Sequence, residues 1–249
     1  MKIAVCLRRV PDTTAKIVIA GSGTVIDETG VKFVPNPYDE YAIEAALSLK
    51  EKAGGGETVV VALGGDAVQE TMRTALAMGI DRGVHLHGTP SPDGLENARV
   101  LAEHLRGAGY DVMLFGKFAV DDCGQQTGAM VAELLELPCA TAVTKLDIAA
   151  GRATVEREVE GGIEQAACAL PAVFTCDKGL NNPRLPSLKG IMAAKKKPLE
   201  VTPVAPGAGS VTVAALALPP ERAAGRIVGE GAAAVPALMQ LLTTEAKVI

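Results

Sequence analysis

The chain has 249 residues, of which 48% are hydrophobic and only 3% aromatic, and its formal net charge is -5. This length predicts one large domain, or one domain with an appendage, with a core built from Val, Leu, Ala and Ile. The negative charge and the scarcity of aromatic side chains argue against nucleic acid as a partner, because neither a basic patch nor a stacking platform is indicated.

The cysteines and histidines predict neither disulfides nor a metal site. Five dispersed cysteines without CxxC spacing favour reduced thiols in a cytosolic or similar compartment. His85, His87 and His104 lack paired cysteines, and we expect them at the surface. No apolar run approaches the ~20 residues of a membrane span, and the first residues read as a strand rather than a signal or transit peptide. We therefore expect a soluble cytoplasmic protein, or a mitochondrial matrix protein in a eukaryote.

The first 138 residues alternate between buried strand patterns and amphipathic helix patterns. Strands are predicted over residues 2–7, 58–63, 84–86 and 110–115, and helices over residues 40–53, 68–77, 95–105 and from Met130 onward. This order predicts an α/β fold with a doubly wound, mostly parallel sheet of the Rossmann-like or adenine-nucleotide α-hydrolase-like kind. The loops after these four strands should meet at one edge, where open α/β sheets bind ligands.

Two features are predicted between the first strand and the first helix. Residues 16–34 carry two β-branched runs around glycine turn signals, which indicates a hairpin-like excursion. Asp39 follows a turn and is predicted to cap the helix that begins at Glu40.

Beyond Pro138 the pattern changes. Antiparallel strands are predicted over residues 141–148, 153–160 and 165–170, a buried strand over 172–176, a polar basic loop over 181–198, a strand over 211–218 and a helix over 235–242. We therefore expect a nucleotide-binding α/β domain of residues 1–200 with an antiparallel extension. We expect residues 201–249 to form a C-terminal arm that packs on another surface.

The most informative stretch is residues 114–130, LFGKFAVDDCGQQTGAM. An apolar strand ends at Gly116, a polar loop follows, and a helix begins. The helix start offers unpaired backbone N–H groups and a positive dipole end, which suit a phosphate, and Gln125, Gln126 and Thr127 add neutral donors. From these residues alone an ordinary strand-to-helix turn is equally favoured, because the stretch lacks the Gly-x-x-x-x-Gly-Lys-Ser/Thr pattern.

Five motifs, in order along the chain, resemble the β (small) subunit of electron-transfer flavoprotein. They are VPNPYDEYAIEAALSLKEK (34–52), ETMRTALAMGIDRGVHL (70–86), GKFAVDDCGQQTGAM (116–130), VEREVEGGIE (155–164) and LNNPRLPSLKGIMAAKKKP (180–198). The resemblance covers nearly residues 1–200 and implies a heterodimer with a larger α subunit, which carries most contacts to a redox-active FAD. The C-terminal arm of residues 201–249 is then expected to pack on the α subunit. The β subunit of the common type holds a structural AMP, and a flavin-bifurcating type places a second FAD there.

The family's nucleotide contacts fall on three of the four predicted loop ends. The matching residues are Cys6 (through its backbone), Asn36, Pro37, Tyr38, Asp39, Gly64, Gly116, Lys117, Phe118, Ala119, Val120, Asp121, Asp122, Cys123, Gly124, Gln125, Gln126 and Thr127. Common AMP-binding members usually have three successive acids followed by Cys-Asn-Gln-Thr-Gly. This chain has one acid fewer and Gly124 in place of the asparagine, yet it retains Gln-Thr-Gly. Phosphate binding is therefore expected, while AMP and a second FAD both stay open.

The segment of residues 180–198 resembles the family's recognition loop, which docks into acyl-CoA dehydrogenases and related flavin dehydrogenases. The anchor leucine of that loop falls on Leu188, and Ile191 and Met192 lie beside it. An exposed apolar side chain that enters a partner pocket is a common binding hot spot, and the basic residues 195–197 could steer association. Without the resemblance, a solvated basic loop is the favoured interpretation.

Three further residues match family positions or invite a role. Glu158 matches an acid that contacts the mobile flavin domain, and Tyr38 matches an aromatic position near the flavin ring. A plain structural role is equally favoured for both. Cys123 is expected to contact the nucleotide rather than act as a nucleophile, because nothing near it in sequence supplies a base.

The sequence therefore predicts an electron-carrier subunit rather than a stand-alone enzyme, with no catalytic residue of its own. The resemblance implies that electrons pass from acyl-CoA dehydrogenases of fatty acid β-oxidation, through the FAD, to a quinone oxidoreductase and the respiratory chain. Two alternatives are the β subunit of a bifurcating, NADH-oxidising complex and an adenosine-binding regulatory module that acts without flavin.

Overall fold

A computed structural model describes residues 1–221 and 224–249, in two compact units, Met1–Ala215 and Leu216–Ile249. In chain order the first unit contains β1 (Lys2–Cys6), β2 (Arg9–Pro11), β3 (Phe33–Pro35), α1 (Pro37–Lys52), β4 (Glu57–Gly64), α2 (Val68–Met78), β5 (Arg82–His87), α3 (Gly94–Leu105), β6 (Val112–Gly116), α4 (Thr127–Leu135), β7 (Cys139–Ala149), β8 (Arg152–Val159), β9 (Gly162–Ala169), β10 (Ala172–Cys176), α5 (Leu188–Ala194) and β11 (Leu199–Pro203).

The main sheet has nine strands in the order β11-β5-β4-β1-β6-β10-β7-β8-β9. The strands from β11 through β7 are parallel, and β8 and β9 continue the sheet in antiparallel pairs. The predicted doubly wound sheet with an antiparallel extension is confirmed. Because β1, β4, β5 and β6 are parallel neighbours, the loops that follow them leave the sheet at one edge, as predicted.

The parallel strands are buried on both faces, which explains their uninterrupted apolar sequences. Ile3 and Val5 of β1 pack into the layer formed by α1 and α2, whereas Ala4 packs with α3 and α4 on the opposite face. Each fully buried Val or Leu contributes about 1.5–3 kcal/mol relative to an exposed one. The central strands therefore form a rigid platform under the loop edge.

The excursion between β2 and β3 is present but contains little regular structure. Its one β-bridge outside the named strands joins Ile19 to Ile26, and its ends meet where Val10 pairs with Val34. Most of its side chains are partly or fully exposed, so little apolar burial supports a longer ladder.

Several predicted boundaries after residue 120 were wrong. Residues 211–218 carry no regular structure and pair with no strand in the described part of the chain. Their alternating pattern lacked a neighbouring strand, which a ladder requires. Conversely, β11 pairs with β5 at the sheet edge, and α5 lies within the segment predicted as a loop. The helix predicted from Met130 begins at Thr127.

The expectation of surface histidines was wrong for His85, which is fully buried on β5. Its Nε2 lies 2.8 Å from the Gly64 carbonyl oxygen and its Nδ1 lies 3.2 Å from the Gln69 side-chain nitrogen. Two polar partners offset the cost of burying the ring.

The second unit contains a 3₁₀ turn at Ala232–Ala234, the helix α6 (Val235–Leu241) and a π-helical turn at Leu242–Ala246. The predicted helix over residues 235–242 is confirmed. Within this unit Arg226 forms an ion pair of 2.8 Å with Glu245. Among the described residues of both units, no helix has the length and apolarity needed to cross a membrane.

Candidate functional site

The loops after β1 and β6 converge on the first turn of α1 through the buried carboxylate of Asp39. Its oxygens accept the backbone N–H of Arg8 at 2.7 Å and of Gly116 at 3.0 Å, and the side-chain amide of Asn36 at 2.9 Å. Helix α1 begins at Pro37, with Asn36 as the N-cap residue, so the prediction that Asp39 caps the helix was wrong. Proline at the first turn starts the helix three residues earlier.

Burial raises the pKa of Asp39 to about 7, against the lowering effect of its three hydrogen bonds. The carboxylate faces the interior and is fully engaged with protein donors. Asp39 therefore ties three chain segments together, and a ligand contact from this residue would use its backbone.

Asn36 fastens the long loop of residues 117–126 to α1. Its side-chain nitrogen donates to the Phe118 carbonyl oxygen at 2.9 Å, and its side-chain oxygen accepts the Val120 N–H at 3.2 Å. Asn36 is almost completely buried. The sequence indicated a contact residue here but not this clamp, because the clamp joins residues more than 80 positions apart.

Aromatic packing and a required glycine complete this junction. The Tyr38 ring lies 4.3 Å from the Phe118 ring and 6.3 Å from the Tyr41 ring, measured between centroids. A Cβ on Gly116 would lie 2.8 Å from the Tyr38 carbonyl carbon and would collide with the Asp39 carboxylate. Only glycine permits β6 to approach α1 this closely.

Arg8, which the sequence did not single out, joins the end of β1 to the acids of the loop. Its guanidinium lies 2.8 Å from an Asp121 carboxylate oxygen and forms a second, short ion pair with Asp122. The Arg8 side chain is about half exposed, so each pair contributes little to stability. The pairs nevertheless neutralise two acids beside a loop expected to bind a phosphate.

The end of the loop has backbone geometry suited to an anion. Cys123 and Gln125 have φ angles of 51° and 57°, and the Ala119 carbonyl oxygen accepts the Cys123 N–H at 2.8 Å. Left-handed residues within a loop turn successive N–H groups toward one side and create anion-binding concavities. Helix α4 then begins at Thr127, and the N–H groups of its first turn have no intrahelical acceptor, as in any α-helix. The side chain of the N-cap residue, Gln126, does not accept a hydrogen bond from them.

Gly124 and Gly64 occupy different parts of this edge. The Gly124 N–H donates to an Asp122 carboxylate oxygen at 2.9 Å, which supports the turn. Gly64 ends β4, beside β1, and accepts a contact from His85 rather than from the long loop.

Lys117 connects the loop to the chain that leaves β10. Its ammonium group lies 2.8 Å from an Asp177 carboxylate oxygen, and its backbone N–H donates to the Cys176 carbonyl oxygen at 2.8 Å. Burial raises the pKa of the Cys6 and Cys176 thiols, so neither is a reactive thiolate. Cys123 is exposed.

The predicted docking residues lie apart from the loop cluster. Leu188 begins α5, with Ser187 as its N-cap residue, and its side chain is 85% exposed. Ile191 and Met192 are exposed on the same helix, and Glu158 is exposed on β8, opposite Ile163 of β9. Helix α5 packs on α2, whereas β8 belongs to the antiparallel extension, so Glu158 is on a different element from the three apolar residues.

Lys197, one of the basic residues 195–197 predicted to steer association, forms hydrogen bonds within the fold. Its ammonium group donates to the carbonyl oxygens of Leu76 at 2.9 Å and Ile80 at 2.6 Å, at the end of α2. Burial lowers the pKa of Lys197. The residue satisfies terminal helix carbonyls, as basic residues near a helix C-terminus commonly do. Lys195 and Lys196 are exposed.

Comparison with known proteins identifies the family. The model of the electron transfer flavoprotein domain matches residues 23–206. The chain is 41% identical to electron transfer flavoprotein subunit beta of Bacillus subtilis over the full length of both proteins. It is 42% identical to the subunit of the same name from Syntrophomonas wolfei, over 90% of this chain and 88% of that protein, and 40% identical to the human one, over 90% and 91%. The chain therefore belongs to the β-subunit family of electron-transfer flavoproteins.

Proposed function

We propose that this chain pairs with a larger α subunit to form a heterodimeric electron-transfer flavoprotein and binds AMP as a structural nucleotide. The observation that carries the proposal is the loop of residues 117–126, which Asn36 clamps to α1 at the carboxyl edge of the sheet. This edge binds ligands in open α/β folds, and the family membership indicates a flavin-dependent electron carrier.

The residues at this edge could bind a nucleoside monophosphate such as AMP. Backbone N–H groups from Gln125 to the first turn of α4 would hold the phosphate, since the N–H groups of Cys123 and Gly124 already bond within the loop. The left-handed residues Cys123 and Gln125 supply the required turns. The backbone of Cys6, residues 36–39 and Gly64 would line the remainder of the nucleotide. Arg8 reduces the repulsion that the Asp121 and Asp122 carboxylates would exert on a phosphate.

FAD, held mainly by the α subunit, would supply the redox chemistry. The residues of this chain would hold and orient the nucleotide and would shield the flavin, and none of them would transfer a proton. Tyr38, packed on Phe118, would contribute an aromatic surface near the flavin, and the exposed Glu158 would contact the flavin-bearing domain.

The exposed surface at Leu188 would receive the electron donors, which are acyl-CoA dehydrogenases and related flavin dehydrogenases. A quinone oxidoreductase would accept the electrons and pass them to the respiratory chain. An exposed leucine followed by Ile191 and Met192 on a capped helix is the form of apolar anchor that partner pockets bind.

A second candidate is the β subunit of a flavin-bifurcating complex, with FAD in place of AMP. Gly124, where common AMP-binding members have asparagine, favours this alternative because it removes a side chain from the nucleotide loop.

Nucleotide content tests the proposal. The chain is co-expressed with its α subunit, the purified complex is denatured, and the released nucleotides are identified by chromatography and mass. We expect one FAD and one AMP per heterodimer. Two FAD and no AMP would establish the bifurcating alternative, and a chain that binds no flavoprotein α subunit would favour a regulatory module. The variant Gly124→Asn restores the common motif and should leave an AMP-binding complex unchanged in nucleotide content.

A further inference from the structure

Arg184, just before the exposed leucines of the proposed docking surface, is fastened to α1 by five hydrogen bonds. Its backbone N–H and Nε donate to one oxygen of Glu44 at 3.0 and 2.8 Å, and its Nη2 donates to the other oxygen at 2.8 Å. The Nη1 and Nη2 groups also reach the two carboxylate oxygens of Glu51, at 2.7 and 3.1 Å. Glu44 and Glu51 lie two turns apart on one face of α1, so a single guanidinium spans both.

This contact is stronger than an ordinary surface ion pair. The Glu44 side chain is only 9% exposed. Burial alone would raise the pKa of Glu44, but hydrogen bonds and charge from Arg184 outweigh burial and lower it. A planar guanidinium that bonds two carboxylates at once is geometrically specific in a way that an ammonium group is not.

The rest of the segment is held from both sides. The Asn181 side chain donates to the Tyr41 carbonyl oxygen of α1 at 2.9 Å. On the other side, the Arg73 guanidinium of α2 donates to the carbonyl oxygens of Ala194 at 2.6 Å and Lys197 at 2.9 Å. Between these attachments, Leu185 and Leu188 are 89% and 85% exposed. The segment therefore combines a fastened backbone with two large apolar side chains that face outward.

We propose that Arg184 is a positioning residue for partner docking, and that its bonds to Glu44 and Glu51 place Leu185 and Leu188 together before a dehydrogenase binds. This inference rests on the proposed function. Ordering a loop during association costs affinity, and a segment that is ordered beforehand avoids this cost. Leu185, which has no match among the family residues assigned above, is then a second anchor beside Leu188.

The test compares three variants in the complete heterodimer. Arg184→Lys keeps the positive charge but loses the planar guanidinium that bonds both carboxylates. Glu51→Gln removes the ion pair between Arg184 and Glu51 and leaves the one with Glu44. As the control, Arg99→Lys changes an exposed arginine on α3 that pairs with Glu96. For Arg184→Lys, we expect the KM for the heterodimer as acceptor of an acyl-CoA dehydrogenase to rise about tenfold at unchanged kcat. We expect a rise of about twofold for Glu51→Gln and none for Arg99→Lys.

Two further measurements distinguish the loss of loop positioning from a general loss of folding or cofactor binding. Reduction of the flavin by dithionite and the nucleotide content should be unchanged in all three variants. Amide hydrogen exchange should accelerate in residues 184–193 of Arg184→Lys, but not of Arg99→Lys, because the fastened segment opens more often.

An unchanged KM in Arg184→Lys, with normal transfer in the wild-type complex, would overturn this inference alone. If Arg184→Lys does not fold, Glu51→Gln decides, since it leaves no buried charge unpaired, and an unchanged KM there overturns the inference. A wild-type complex that takes no electrons from any acyl-CoA dehydrogenase would overturn the proposed function as well.

Discussion

The Asp39 carboxylate accepts the backbone N–H of Gly116 at 3.0 Å, and this bond joins the first turn of α1 to the end of β6. The same carboxylate also accepts the Arg8 N–H at the end of β1. Two neighbouring parallel strands are thereby held to one helix start, at the point where the loop of residues 117–126 begins. The shape of the candidate site depends on this junction more than on any exposed side chain.

Gly116→Ala tests how tightly the junction is packed. The added Cβ would collide with the Asp39 carboxylate and lie 2.8 Å from the Tyr38 carbonyl carbon. We expect a loss of about 1–3 kcal/mol in the free energy of unfolding, measured by urea denaturation, because overpacking forces the backbone apart. Gly124→Ala in the same loop is the control, since its Cβ would lie 3.5 Å from the nearest atom. Equal stability of the two variants would contradict this account.

Asp39→Asn tests the buried carboxylate through pH. Burial raises the pKa of Asp39 from 3.8 to about 7, so the folded chain holds this proton more tightly than the unfolded chain does. Ionisation of Asp39 then lowers stability as the pH rises from about 4 to about 7, by at most about 1.4 kcal/mol per pH unit, and the loss is complete above that range. The variant lacks this dependence. We expect the wild-type minus variant difference in unfolding free energy to fall across the interval.

Asp12→Asn supplies a comparison of opposite sign. A backbone hydrogen bond from Thr14 lowers the pKa of Asp12, so its contribution to stability is present above the unfolded pKa and is lost as the pH falls. The corresponding difference should therefore rise with pH. If the Asp39 difference also rose, its three hydrogen bonds would outweigh burial and our account of the junction would be wrong.

Leu188→Ala tests the docking surface. The side chain is 85% exposed, so we expect the free energy of unfolding to change by less than about 0.5 kcal/mol. Electron transfer from an acyl-CoA dehydrogenase, followed by stopped-flow absorbance of the flavin, should slow markedly because the anchor is lost. Nucleotide content should stay the same. Val25→Ala, which truncates a different exposed apolar side chain in the first unit, should leave the transfer rate unaltered. Normal transfer in Leu188→Ala would remove the docking claim.

Lys197→Met tests whether Lys197 stabilises the fold, in contrast to Lys195 and Lys196, which are expected to steer association. Two carbonyl oxygens at the end of α2 would lose their donor, and we expect a loss of about 1–3 kcal/mol in stability. The salt dependence of association with the dehydrogenase should not change. The double variant of Lys195→Gln and Lys196→Gln should show the reverse, with normal stability and a slower, less salt-dependent association. A stability loss in the double variant and none in Lys197→Met would contradict this division.

Much of the fold could be predicted from local sequence. The uninterrupted apolar run of β4 indicated a strand buried on both faces, and its alternation with amphipathic helices indicated the parallel sheet and its loop edge. The short α5 and the edge strand β11 were missed, because a few residues with lysine and proline carry weak local signals. The functions predicted for Leu188 and for the loop of residues 117–126 rest on motif order, which reflects family membership rather than periodicity, and they stay predictions.

The sequence by itself determined the layers of the sheet, because burial on both faces requires a particular pattern of apolar residues. Only the tertiary structure decided what single polar residues do. Asp39 was predicted to cap a helix, but its buried carboxylate accepts the Gly116 N–H. Lys197 was predicted to steer association, and it donates to a carbonyl oxygen at the end of α2. Arg184 was predicted to lie in a solvated basic loop, but it binds Glu44 of α1. Each of these roles depends on a partner between 77 and 140 positions away. A hydrogen bond requires two groups to be close in space, and the local spacing of residues does not show which distant residues come together.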